Sequence, residues 1–106
     1  MRIHATGKYE QRTDTSGSTS ITRQVTTEVR VEVTVDRPDA DLLRQHDLPQ
    51  RPYERWELTG DLLVVTWLPR RNSYFQQGDA YELLRTYASL THRAVLDTLR
   101  DLRAAR

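Results

Sequence analysis

The sequence predicts an α+β domain: a four-stranded antiparallel sheet, built from two β-hairpins, with one long C-terminal helix packed across one face. Three observations predict it. Apolar residues fall on odd numbers from Met1 to about Asp36. The run YERWELTGDLLVVTWL (53–68) folds back on itself about a Gly–Asp pair. An amphipathic stretch continues from Asp79 to about Ala104.

The first hairpin spans 1–36. Met1, Ile3, Ala5 and Tyr9, then Ile21, Val25, Val29, Val31, Val33 and Val35, repeat with the period of two that marks strands with one buried face. Between them RTDTSGS (12–18) is a turn by composition. A turn centred on Thr15 sets Tyr9 opposite Ile21, Ala5 opposite Val25 and Met1 opposite Val29, with Arg2 opposite Glu28 on the outer face. Val31 to Val35 then lie beyond the first strand and require another partner. Residues 18–36, fully extended, would span roughly 60 Å at about 3.3 Å per residue, far more than a usual strand. That segment is therefore expected to bend, to bulge, or to leave the body as an arm.

The connection 37–52 holds three of the four prolines. Pro38 with Asp39 or Asp41 opens a short helix at about 39–46 carrying Leu42, Leu43 and His46, and Pro49 closes it. The second hairpin, 53–68, turns at Gly60 and Asp61, a Gly-first pair that suits a type II′ turn. This pairs Leu58 with Leu63 and Trp56 with Val65, and brings Trp67 onto the same face. The other face gathers Leu62, Val64 and Leu68, so the last strand is apolar on both sides, as a central strand covered on both faces would be. Whether Leu42, Leu43 and Leu48 fold over that second face, or leave it open to a partner, is undecided by the pattern.

A loop at 69–78 leads to the helix at 79–104, with Asp79 and Glu82 spaced as a capping box. Ala80, Leu83, Leu84, Tyr87, Ala88, Ala94, Val95, Leu99 and Leu102 fill one side of the helix. Arg85, His92, Arg93, Arg100 and Arg103 gather opposite, with Leu96 among them.

Composition bounds the function. The 106 residues fit a single domain, and only twenty-four of them are Leu, Ile, Val or Phe, which implies a thin core that a second copy or a partner would complete. Sixteen basic residues nearly cancel fifteen acidic ones, so no global field recruits nucleic acid. All the basic residues but Lys8 are Arg, which fits a coding bias better than a dedicated anion site. The absence of Cys removes disulfides, thiolate chemistry and Cys-based zinc sites. With neither an apolar leader core nor a membrane-length apolar run, a cytoplasmic protein without membrane contact is expected.

No GxSxG, phosphate-cradling glycine loop or HExxH is present, so no catalytic residue, cofactor or metal is assigned. Asp36, Asp39, Asp41, His46 and Asp47 lack the spacing of a metal loop and read as helix capping. His4 and His92 fall on polar phases. The leading expectation is a non-enzymatic interaction or assembly module that forms a homo-oligomer or docks to a larger protein. It would use a sheet edge and the apolar face of Leu62, Val64 and Leu68, with Arg70, Arg71, Tyr74 and Phe75 beside it. The alternative is a nucleic-acid binder in which Arg70, Arg71, Tyr74 and Phe75 join Arg85, Arg93, Arg100 and Arg103 of the helix. Against it, Glu82, Asp97 and Asp101 flank that face. A third reading, a small-molecule binder or enzyme, requires a pocket between helix and sheet near Tyr9, Trp56 and Tyr87.

Overall fold

The computed structural model describes residues 1–69 and 80–105. Its elements are β1 (Arg2–Ser16), β2 (Thr19–Thr34), α1 (Arg37–Arg44), β3 (Gln50–Arg51), β4 (Glu54–Thr59), β5 (Leu62–Trp67) and α2 (Ala80–Ala104). The architecture is α+β, with an antiparallel sheet in the order β1-β2-β5-β4-β3. The sheet thus has five strands among the described residues rather than the expected four. The addition is the two-residue β3, inside the connection, whose flanking Pro49 and Pro52 have no N–H to extend its pairing. Gln50 holds it in place by donating its side-chain amide to the Trp56 carbonyl at 2.7 Å.

The second hairpin has the expected register, with Leu58 opposite Leu63 and Trp56 opposite Val65. Gly60 sits at the turn with φ +60°, a conformation that a residue with a Cβ adopts only under strain. The first hairpin differs. Its turn lies at Gly17–Ser18 rather than at Thr15, so Ile3 faces Val33, Ala5 faces Val31 and Lys8, not Arg2, faces Glu28. Gly17 also has φ +60°, and this local demand outweighs the expected apolar pairing of Tyr9 with Ile21 and Ala5 with Val25. Val31 and Val33 therefore do have partners on β1, and on their other side β5 supplies Val65 and Leu63.

A bulge interrupts this ladder. Lys8 pairs with Glu28 and Tyr9 with Thr26, leaving Thr27 as the extra residue on β2, with its hydroxyl donating to the Lys8 carbonyl at 3.2 Å. Because one residue is inserted, the β2 positions beyond it change face: Val29 looks into the core, whereas Val25 falls opposite Glu10 and Ile21 opposite Asp14 in the ladder. The odd-numbered apolar series of the sequence is real, but it does not mark one continuous face.

Among the described residues the main core cluster packs on one side of the sheet, and Val25, on the other phase of the ladder, is buried apart from it. Val29, Val31, Val33, Leu63 and Val65 are fully buried beneath α2, which contributes Leu83, Tyr87, Val95 and Leu99. Burying each such side chain contributes about 1.5–3 kcal/mol relative to exposure. Helix α1 packs beside α2 on this same side through Ala40, Leu42 and Leu43, and an Arg103–Asp39 ion pair ties the two helices. Arg44 fixes the C-terminal end of α1 by bonding Asp41 at 2.7 Å and the Gly60 carbonyl at 3.1 Å. Leu42 and Leu43 thus do not fold over the second sheet face. Strand β5 is central, as its two apolar sides suggest; α2 covers one of them, and no described helix covers the other.

The helix stripe contains one residue that a hydrophobicity wheel passes over. Thr91 is fully buried, accepts the Trp67 indole N–H at 2.8 Å and donates to the Tyr87 carbonyl at 2.6 Å. The Trp67 and Tyr87 rings meet at 5.4 Å between centroids, tilted by 41°. Trp56, further along the sheet, has a matching arrangement: its indole donates to buried Glu54 at 2.8 Å, and Arg51 closes the pair at 3.1 Å.

Candidate interaction surface

The two edges of the sheet differ in kind. The β3 edge is two residues long and bracketed by prolines, a blunted edge of the sort that resists further pairing. The β1 edge is fifteen residues long, and among the described residues no strand pairs with its outer side. With no described strand along its outer amides and carbonyls, it is the chain's principal template for adding a strand.

The distal half of β1 and the facing part of β2 leave the body as a two-stranded arm. Beyond the bulge the ladder continues from Glu10–Val25 to Ser16–Thr19, and the side chains of Thr19 to Gln24 are all exposed. Along its length the molecule measures 63 Å against 22 and 19 Å across. Its radius of gyration is 16.7 Å, where a compact domain of about 100 residues has roughly 13 Å. Within the arm, Thr13 and Thr22 share a 2.9 Å hydrogen bond and Thr15 and Ser20 one of 3.2 Å. Ile21, 63% exposed, is the large aliphatic side chain that the arm presents to solvent.

The solvent-facing side of β1 carries Lys8, Glu10 and Arg12 at alternate positions, followed in register by Asp14. Lys8 bonds Glu28 at 3.2 Å, and the Arg12 Nε approaches Glu10 to 2.6 Å. These residues were not among the sequence-derived candidates. The signal that marks them is the alternation of sign at every second residue.

The apolar second face is less apolar than its residues suggested. Leu62 and Val64 are half-buried, and the register surrounds them with polar neighbours: Val64 lies between Glu32 and Glu57, and Leu62 between Thr34 and Thr59. Arg30 and Arg55 flank Thr66 one step along, and Arg30 bonds Glu32 at 3.4 Å. Long charged side chains on either side shield a narrow aliphatic strip. Leu68, half-buried, donates its N–H to the Tyr53 carbonyl at 2.9 Å, so it terminates the sheet.

On α2, Arg85, His92, Arg93, Arg100 and Arg103 are exposed, as the wheel placed them. Several are engaged within the chain. Arg85 stacks over Tyr81 at 5.8 Å, Arg100 lies 3.5 Å from Asp97 and 3.7 Å from Asp101, and Arg103 pairs with Asp39. Arg70, Arg71, Tyr74 and Phe75, named for both partner and nucleic-acid contact, lie outside the described residues, as do Asp79 of the expected capping box and most of the 69–78 loop.

Trp56 and Tyr87, expected to line a pocket with Tyr9, are packed into the core. A recess of about 260 Å³ touches Trp56 from the β3 side, lined by Arg51, Glu54, Asp97 and Asp101 rather than by Tyr9 or Tyr87. Burial raises the Tyr87 phenol pKa above its ordinary value. In the connection, Asp39 and Asp41 are held by Arg103 and Arg44. No helix among the described residues is long and apolar enough to cross a membrane.

The arrangement defines an α+β domain with one blunted sheet edge and one long edge that continues into a projecting hairpin. No family model matches the chain, and no curated protein or solved structure matches it.

Proposed function

We propose that this chain is a non-enzymatic interaction module that engages another protein surface through the β1 edge and the hairpin arm. One observation carries the reading: an ordered ladder from Gln11–Gln24 to Ser16–Thr19 that projects past buried Val25, with the Thr19 to Gln24 side chains in solvent. Isolated two-stranded hairpins are marginal in water, because their backbone ordering is not offset by burial on a third element. A partner laid along the arm supplies that third element. The thin core supports the same reading. The second face is a narrower apolar strip, because polar residues flank Leu62 and Val64 on both neighbouring strands.

Replacing residues 11–24 with an Asn–Gly turn joins Glu10 to Val25 through two residues and removes the arm while keeping the helix-covered core. The shortened chain is expected to unfold cooperatively within a few degrees of the intact one, yet to lose association when both are compared by light scattering and by cross-linking across a concentration series. An armless chain that keeps the association shown by the intact one, whether with itself or with another protein, would sink the reading.

A further inference from the structure

The partner that best fits the β1 edge is a second copy of the same edge. Along the solvent face of β1 the charges run Lys8, Glu10, Arg12, with Asp14 at the next register position, so the sign alternates at every second residue. Directly opposed residues of an antiparallel pair lie on the same face of the sheet, so one strand's charges meet the other's in reversed order. A series that reads plus, minus, plus, minus becomes minus, plus, minus, plus when reversed. We infer that two copies pair antiparallel through β1 about a two-fold axis at Gln11, with Glu10 of each copy facing Arg12 of the other and Lys8 facing position 14. This rests on the interaction reading above and names its partner.

The charge series selects the register. Sliding one strand by two residues in one direction sets Lys8 against Arg12 and Glu10 against its own copy; in the other it sets Arg12 against its own copy. Sliding by four restores opposite signs at fewer places, since it leaves Arg12 of each copy facing Thr6, or carries Lys8 past the end of the facing strand. A parallel arrangement in register would oppose like charges throughout. At the inferred register residues 6–16 of each copy are paired over about 36 Å at roughly 3.3 Å per residue, and Ser16 at one tip reaches Thr6 of the other copy. The two helix-covered bodies then sit at opposite ends, on the same side of one continuous sheet.

The backbone ladder provides the attraction, while exposed ion pairs are individually weak and serve mainly to exclude other registers. The existing Arg12–Glu10 contact within one strand is compatible with this, because each charge then has an opposite neighbour along its own strand and across the axis.

Two charge reversals test the inference. Glu10→Arg and Arg12→Glu each place two like-charge contacts across the axis, and each alone is expected to weaken self-association about tenfold or more. Mixed in equal amounts, the two variants become complementary, because the arginine introduced at position 10 of one faces the native Arg12 no longer but the glutamate introduced at position 12 of the other. Sedimentation equilibrium of the mixture should recover much of the wild-type association, with circular dichroism confirming that each variant is folded. The double variant Glu10→Arg/Arg12→Glu should associate far more tightly than either single variant, and serves as the folding-independent check. An intact chain that stays at its 12.4 kDa monomer mass in low salt, or a mixture that stays as dissociated as its components, overturns self-pairing. Either result leaves the interaction reading standing if removal of the arm still abolishes binding to another protein; an arm that can be removed without consequence removes that reading itself.

Discussion

Trp67 donates its indole N–H to the Thr91 hydroxyl at 2.8 Å, joining the end of β5 to the middle of α2 at a point where Thr91 is fully buried. Replacing Thr91 with Val keeps the shape and removes the acceptor, leaving a partly buried N–H without its partner. The expected loss is about 1–3 kcal/mol, measured as a shift in urea midpoint at unchanged slope. Thr91→Ser retains the acceptor and should recover most of it. A valine variant as stable as the serine variant would show that this bond contributes little to helix docking.

The two turn glycines share φ +60°, and a Cβ added to either would meet no atom within 4 Å, but they stand in different places. Gly60 closes the hairpin beside the C-terminal end of α1, where its carbonyl accepts from Arg44, whereas Gly17 lies at the tip of the arm. Gly60→Val should lower global stability by about 1–2 kcal/mol, the cost of a left-handed conformation for a residue with a Cβ. Gly17→Val should leave the thermal midpoint of the body unchanged while disturbing protection of arm amides in hydrogen exchange. Equal effects on global unfolding would mean that the arm and the body melt as one unit.

Tyr87 gives stability a pH dependence at the alkaline end. Its folded pKa is raised by burial, so the unfolded chain ionises first as pH rises through the ordinary value of 10.0. The contribution is complete below that value and is lost progressively above it, as pH rises toward the folded pKa. Tyr87→Phe should flatten the fall in unfolding midpoint above about pH 10 without changing the profile near neutrality. A slope that persists unchanged in the variant would assign the effect to other groups.

Arg100 and Arg103 of α2 are in part neutralised by Asp97, Asp101 and Asp39, and the inferred β1 pairing uses none of the helix arginines. Arg93→Glu with Arg100→Glu is therefore expected to leave self-association within about twofold of wild type. The same pair of changes offers a check on nucleic-acid binding: single-stranded DNA titrated at low salt should give no affinity that the substitution removes. A steep, salt-dependent binding lost in the variant would transfer the function to the helix.

How much of this was legible in the sequence depends on where one face of a segment is buried. The second hairpin and the helix stripe could be read because Trp56, Leu58, Leu63, Val65 and Leu99 must all reach the same core, which leaves their register little freedom. The first hairpin could not, since residues 12–24 are polar on both faces apart from Ile21 and only the positive φ of Gly17 fixes the turn. Thr91 escaped because hydroxyl burial depends on a partner 24 residues away, which no periodicity reports. The two-residue β3 was too short to have a period at all. The fate of the second face was undecided because Leu42 and Leu43 suit either side of the sheet; only the docking of α1 against α2 places them. The charge alternation along β1 was present in the sequence throughout, yet it has meaning only once that strand is known to be an edge.

The extra residue Thr27 has a consequence for how such a molecule can change. On one side of it, strand phase is dictated by Val29, Val31 and Val33; on the other, toward the tip, the core cluster imposes no such alternation. Adding one residue to each strand of the arm would lengthen its reach by about 3.3 Å and invert which surface its tip presents, without moving a core side chain. The arm is in this sense a spacer of adjustable length fitted to a domain of fixed shape, and the distance between whatever it joins is free to vary while the fold that carries it does not.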